Sequence, residues 1–88
     1  MPTRTVTVGS KVGLHARPAA LLVQAAARAG VPVRIAKPGQ EPADARSILS
    51  VLALDARGGD QVVLSAEGAG ADAALDALAT LIETDHDS

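Results

Sequence analysis

No aromatic ring and no disulfide is available to hold this chain together: Phe, Tyr, Trp and Cys are all absent from its 88 residues. Any core must be built from Val, Leu, Ile and Ala. A chain of this length buries roughly 60% of its unfolded surface, enough for one modest core without covalent staples, so residues 1–88 are expected to form a single domain. The same absences exclude thiolate metal sites and fit a reducing compartment. They also remove the stacking platforms that single-stranded nucleic acid binders use. The formal charge is −2 with no basic cluster, which argues against nucleic acid as a partner. No apolar run approaches the length of a membrane span, and the opening MPTRTVTV lacks a signal-peptide apolar region. The expected location is cytoplasmic, without membrane insertion.

Hydrophobic patterning divides the chain into seven elements. Residues 4–8 alternate Thr and Val with period 2 and read as a strand. Residues 16–28 are rich in Ala, Leu and Gln and read as a helix. Pro18 falls in its first turn, where a missing N–H costs nothing, and Gly30 stands where a glycine would end it. Residues 31–36 read as a second strand. Pro38-Gly39 marks a turn, and a short third strand is expected near residues 41–45, confined to an edge because Pro42 cannot donate to a ladder. Ser47 opens a short helix running to Leu54. Gly58-Gly59 is a turn, and residues 61–66 are a fourth strand. A last helix runs from about residue 71 to Glu83, with Ala71, Ala74, Leu75, Leu78, Leu81 and Ile82 forming the inward stripe of a half-buried helix. The order β-α-β-β-α-β-α with short connections predicts an α+β fold, a two-layer sandwich of antiparallel sheet with helices on one face.

The segment Gly13-Leu14-His15-Ala16-Arg17-Pro18-Ala19-Ala20 carries the chemistry. It sets one imidazole and one guanidinium at a helix N-terminus. The first turn supplies unpaired N–H groups and the positive end of the helix dipole, which together favour an anion. Arg17 adds a planar fork suited to phosphate oxygens, and His15 adds a nucleophilic nitrogen. No second His, Cys or Asp stands at metal-ligand spacing, so no metal site is expected. No candidate general base adjoins His15 in sequence either, which points to acceptance and donation of a group rather than to hydrolysis. The plain alternative for His15 is a polar helix cap.

Residues 13–20 resemble the active-site signature of the HPr family, the histidine-containing phosphocarriers of the phosphoenolpyruvate-dependent sugar phosphotransferase system. Ala45-Arg46-Ser47-Ile48-Leu49-Ser50-Val51-Leu52 is similar to that family's second signature, and Gly59-Asp60 with Leu64-Ser65-Ala66-Glu67-Gly68 resembles its last strand and the following turn. The resemblance spans essentially the whole chain. It implies an open-faced sandwich with a four-stranded antiparallel sheet in the order 1-4-2-3 and three helices on one face. It implies that His15 carries a phosphoryl group on Nδ1, steadied by Arg17 and by the backbone amides of Ala16 and Arg17. The implied donor is phosphorylated enzyme I, and the implied acceptors are enzyme IIA components. The protein is then a monomeric carrier rather than an enzyme, and it needs no cofactor.

Two further features have competing readings. Ser47 reads as the N-cap of the short helix. The resemblance adds a regulatory phosphosite, because in part of the family the matching serine is phosphorylated by a dedicated kinase. Ile48, Leu49 and Leu52 lie at helical spacing, but adjacent Ile48 and Leu49 cannot both face inward. Ile48 and Val51 are expected in the core. By resemblance, Leu49 and Leu52 join Ala20 and Leu21 in an exposed apolar docking patch. The chain departs from the family where Pro38-Gly39 replaces the common Asn-Gly turn, and at Pro42. His86 reads as solvated and inert. Three other functions are weighed: a regulatory module on the same fold that docks a transcriptional regulator or metabolic enzyme, the carrier of a nitrogen-related phosphorelay, and a small-molecule-binding domain. The last has no polar cluster to support it.

Overall fold

The computed structural model describes residues 2–9 and 13–84. Residues 10–12 and the tail with His86 lie outside the described residues. Seven elements follow in the predicted order: β1 (Thr3–Thr7), α1 (Ala16–Arg28), β2 (Val33–Ala36), β3 (Ala43–Asp44), α2 (Ile48–Ala53), β4 (Gln61–Ala66) and α3 (Ala71–Glu83). The four strands form one antiparallel sheet in the order β1-β4-β2-β3, as the resemblance implied.

Period-2 alternation decides which sheet face is covered. In β4, Val62, Leu64 and Ala66 are buried while Gln61 is exposed and Val63 and Ser65 are half-buried. In β1, Val6 is buried and Thr3, Thr5 and Thr7 are exposed. The cross-strand pairs Thr3–Ser65 and Ser65–Arg34, and Arg34–Asp44, run a polar row across all four strands on the open face. On the covered face, Val33, Ile35, Val62 and Leu64 meet Ala19, Leu22 and Ala26 of α1 and Leu75, Leu78 and Ile82 of α3 in one aliphatic core. Arg4, the one charged residue of β1, reaches the helical layer and pairs with Asp76 of α3.

Local chemistry sets the ends of the elements. Lys37-Pro38-Gly39-Gln40 is a turn closed by Gln40 N–H donating to the Lys37 carbonyl at 3.0 Å. Gly39 supplies φ +82° at the position that only glycine takes without strain. Gly30 follows the Ala29 C-cap of α1, where it was expected. The strands are shorter than the patterning predicts: β2 starts at Val33 instead of residue 31, and β3 has two residues instead of five. Pro32 and Pro42 explain both, since neither has an N–H to offer the ladder. β3 is an edge strand, as Pro42 required.

Two expectations about side chains need correction. Ile48 was expected in the core, yet it is 38% exposed. It is the first residue of α2, and a helix of six residues turns only one side chain, Val51, fully inward. On α3 the buried stripe includes Ala79, while Leu81 is only half-buried.

Asp55 follows the C-cap Leu54 of α2 with φ +50°, the only described non-glycine residue in the left-handed region. That conformation costs an L-residue about 1–2 kcal/mol, less for Asp than for most. Asp55→Gly is expected to raise the melting temperature by a few degrees and Asp55→Val to lower it, measured by thermal unfolding followed by circular dichroism.

Candidate functional site

Gly13 holds φ +84°, and its Cα lies flat against the next loop: a Cβ there would stand 2.6 Å from Arg57 Cα and closer still to the Ala56 carbonyl oxygen. Only glycine fits. Leu14 then turns into the core and donates its N–H to that Ala56 carbonyl at 2.8 Å. The backbone at Ala56 and Arg57 is thus a shelf beneath the start of α1. It is braced in turn by Arg57 N–H donating to Asp60 Oδ2 at 3.0 Å, and by Val8 N–H donating to the Asp60 carbonyl at 2.8 Å.

His15 is the N-cap of α1, with extended backbone (φ −99°, ψ −165°). Its carbonyl accepts from Ala19 N–H at 2.8 Å, starting the helix. Its side chain makes no capping bond, so the polar-cap alternative fails, and the residue is exposed. Ring Nδ1 lies 3.1 Å from the Gly13 carbonyl oxygen. Helix geometry leaves the N–H groups of the first turn without intrahelical acceptors. Here Pro18, the third helical residue, has none to offer and that of Ala19 is taken. The amides of Ala16 and Arg17 remain, both on exposed residues beside the ring. No acidic side chain sits in the first turn, and no described carboxylate lies within ion-pair distance of Arg17. The N-terminal end of α1 therefore presents a nucleophilic ring, two amides and a guanidinium, with no acidic residue in its first turn.

The second signature folds as a capped helix. Ser47 Oγ accepts from Ser50 N–H at 3.3 Å, and the Ser47 carbonyl accepts from Val51 N–H at 3.0 Å. Before the cap, Asp44 receives three bonds from Arg46: the backbone N–H at 2.9 Å, and Nε and Nη2 of the fork at 3.2 Å each. The guanidinium bonds, and then the amide, hold the Asp44 carboxyl below its ordinary value of 3.8 and raise Arg46 above its own. This fork was not foreseen, although Asp44 and Arg46 at i, i+2 before a Ser cap is a pattern the sequence displays.

α2 packs on α1. Leu49 is 77% exposed and Leu52 40%, with Ile48 beside them, while Ala20 and Leu21 on α1 are half-buried. Apolar surface on both helices thus stands open at their junction. Among the described residues, no three His, Cys, Asp or Glu side chains gather closely enough to hold a metal ion, and no helix is long and apolar enough to cross a membrane.

Residues 2–84 match the family described as "PTS HPr component phosphorylation site". The chain is 51% identical over 82 residues to the phosphocarrier protein HPr of Streptomyces coelicolor, covering 93% of this chain and 88% of that one. It is 38% identical over 84 residues to the phosphocarrier protein NPr of Shewanella violacea, covering 96% and 91%. Among solved structures, the phosphocarrier protein HPr of Bacillus anthracis superposes with a TM-score of 0.86 at 38% identity, over 92% of this chain and 95% of that one.

The Asp44–Arg46 fork generates a pH prediction. A carboxyl whose folded value is depressed contributes stability above its unfolded value and loses it as pH falls through the folded one. Below pH 3.8 the wild type should therefore lose a small increment of stability that Asp44→Asn never had. The increment is small because the pair is exposed. Melting temperatures of both proteins across that range check it: parallel curves would remove the fork from the stability of the α2 entry.

Proposed function

Since the chain belongs to the HPr family of phosphocarriers of the phosphotransferase system, we propose that Nδ1 of His15 accepts the phosphoryl group from phosphorylated enzyme I and passes it to enzyme IIA components during sugar uptake. The observation that carries this reading is the positive end of α1, whose first turn holds no acidic side chain. The amides of Ala16 and Arg17 and the Arg17 guanidinium belong to the turn that follows the N-cap ring, and no described carboxylate lies within ion-pair distance of Arg17. A phosphoryl group on the ring brings negative charge to the point where helix dipole, amides and guanidinium all favour it. No metal is needed for that. With no base in the first turn to activate water, the phosphoryl group waits for a partner's nucleophile, which suits a stoichiometric carrier rather than an enzyme.

Leu49 and Leu52, with Ala20 and Leu21, are the docking surface in this reading. Both partners must cover the same His15, so both use the same apolar patch, and rapid exchange suits an interface at or below about 1,200 Å². The carrier works as a cytoplasmic monomer. Ser47 is at once the structural cap of α2 and a candidate site for a serine kinase. A phosphate there adds about −1.5 to −2 charges on the helix that carries the patch, and partners would read the change. The likeness to NPr supports a second reading of the same chemistry, a carrier in a nitrogen-related phosphorelay.

Incubation with phosphoenolpyruvate, magnesium and enzyme I should add one acid-labile phosphoryl group, seen by intact mass. His15→Ala should add none, and Arg17→Ala should transfer roughly 10- to 100-fold more slowly, the loss expected for charged hydrogen bonds of about 1.5–3 kcal/mol. Labelling that survives in the His15 variant removes the central claim. Replacing the enzyme IIA acceptors of the sugar system with those of a nitrogen relay, in the same assay, separates the two readings.

Leu49→Glu tests the patch. At 77% exposure the change should shift stability by no more than about 0.5 kcal/mol. Transfer from enzyme I and to the acceptor should both fall, by roughly fivefold or more, as for an interface anchor. Normal transfer with a normal melt would take Leu49 out of the interface.

A further inference from the structure

The 3.1 Å contact between His15 Nδ1 and the Gly13 carbonyl has a chemical direction. A carbonyl oxygen only accepts, so the nitrogen facing it must carry the proton. We propose that Gly13 is a positioning residue that holds neutral His15 as the Nδ1–H tautomer at rest, so that the ring must leave Gly13 and exchange tautomer before Nδ1 can take the phosphoryl group. The inference rests on the reading of His15 as phosphoryl acceptor.

Three observations make the Gly13 carbonyl a fixed acceptor rather than a passing one. The residue holds φ +84°, and its Cα is pressed on backbone atoms of Ala56 and Arg57 that cannot yield as a side chain would. The next residue is pinned on the same shelf through Leu14 N–H to the Ala56 carbonyl, and its side chain lies in the core. On the other side, the His15 backbone is committed as N-cap to Ala19. Gly13 and the start of α1 are therefore both immobilised, and the bond between residues 13 and 15 closes across one intervening residue. The residue is exposed, which gives the ring solvent access for proton exchange.

The step balances. As the bond between phosphorus and the donor atom of enzyme I breaks and the Nδ1–P bond forms, the Nδ1 proton has already left to solvent and Nε2 has gained one. The attacking ring is neutral, and the lone pair that attacks is the one exposed on Nδ1 by the tautomer exchange. With phosphorus on Nδ1 and a proton on Nε2, the product ring is cationic beside the phosphoryl anion until the Nε2 proton passes to solvent. Phosphorylated protein cannot restore the Gly13 contact, because Nδ1 then has no proton to donate. The Gly13 carbonyl thus distinguishes the empty carrier from the loaded one.

Long-range proton–nitrogen NMR of the ring, on native protein at a pH where the ring is neutral, reads the tautomer directly. A synthetic peptide of residues 12–18, which lacks the Ala56–Arg57 shelf, is the reference. The Nδ1–H form should be favoured in the protein over the peptide by roughly three- to tenfold, the ratio one net hydrogen bond sets. Equal ratios, or a shift toward Nε2–H, would overturn the proposal. Gly13→Ala, where it folds by thermal melt, should return the ratio toward that of the peptide. Where it does not fold, the native comparison decides alone. On phosphorylation the Gly13 carbonyl carbon resonance should move, and an unmoved resonance counts against the exchange. A protein with the shifted tautomer that takes no phosphoryl group refutes the acceptor role of His15. One that is phosphorylated but shows the peptide's ratio refutes the role of Gly13.

Discussion

Burial of one sheet face by aliphatic side chains is the constraint on which everything else in this protein depends. Without an aromatic residue to span a gap, α1 and α3 must present their small faces directly to the sheet, and Ala19, Ala26, Ala71 and Ala79 do so. Each fully buried Leu, Ile or Val contributes about 1.5–3 kcal/mol, and the largest of them cluster on β2, β4, α1 and α3. Their close packing sets the angle and depth at which α1 enters the fold. Its N-terminus is thereby held at a fixed place while its first turn stays exposed.

The exposed position of His15, the proposed acceptor, is a consequence of that placement. Leu14 belongs to the core and His15 does not, so one peptide unit converts core packing into the position of an exposed ring. The shelf of Ala56 and Arg57 supplies the other half, because Gly13 approaches it more closely than any side chain would permit. Pro18 and the helix ladder then leave two amides beside the ring. None of these groups is strained or exotic. Their joint effect is a concentrated positive end, with no acidic residue in the first turn of α1, in a protein whose net charge is −2.

The second signature shows the same economy. Ser47 caps α2, Asp44 and Arg46 lock the chain just before the cap, and Val51 anchors the helix by a single core contact. A helix this short has too few residues to hide Ile48, Leu49 and Leu52 together. The apolar surface left at the α1–α2 junction follows from helix length as much as from composition.

Much of this was legible along the chain. Alternation in residues 61–66, the Lys37–Gln40 turn, the Ser47 cap and the edge position of Pro42 each follow from interactions among residues near one another in sequence, and each appears as read. His15 and Arg17 were legible for the same reason: they lie two residues apart on one helix turn. Strand order was reached only through family resemblance, since nothing local tells β4 to enter between β1 and β2. Ile48 was misplaced because burial depends on how far a short helix extends beyond its neighbours, which periodicity does not encode. The Ala56–Arg57 shelf left no trace, because its partner Gly13 is more than forty residues away and contributes only its lack of a side chain. The sequence by itself determined the local elements and the chemical groups of the site. The tertiary structure alone decided which backbone carbonyl meets the histidine ring and that Ile48 stays in water, because both depend on how segments pack in three dimensions.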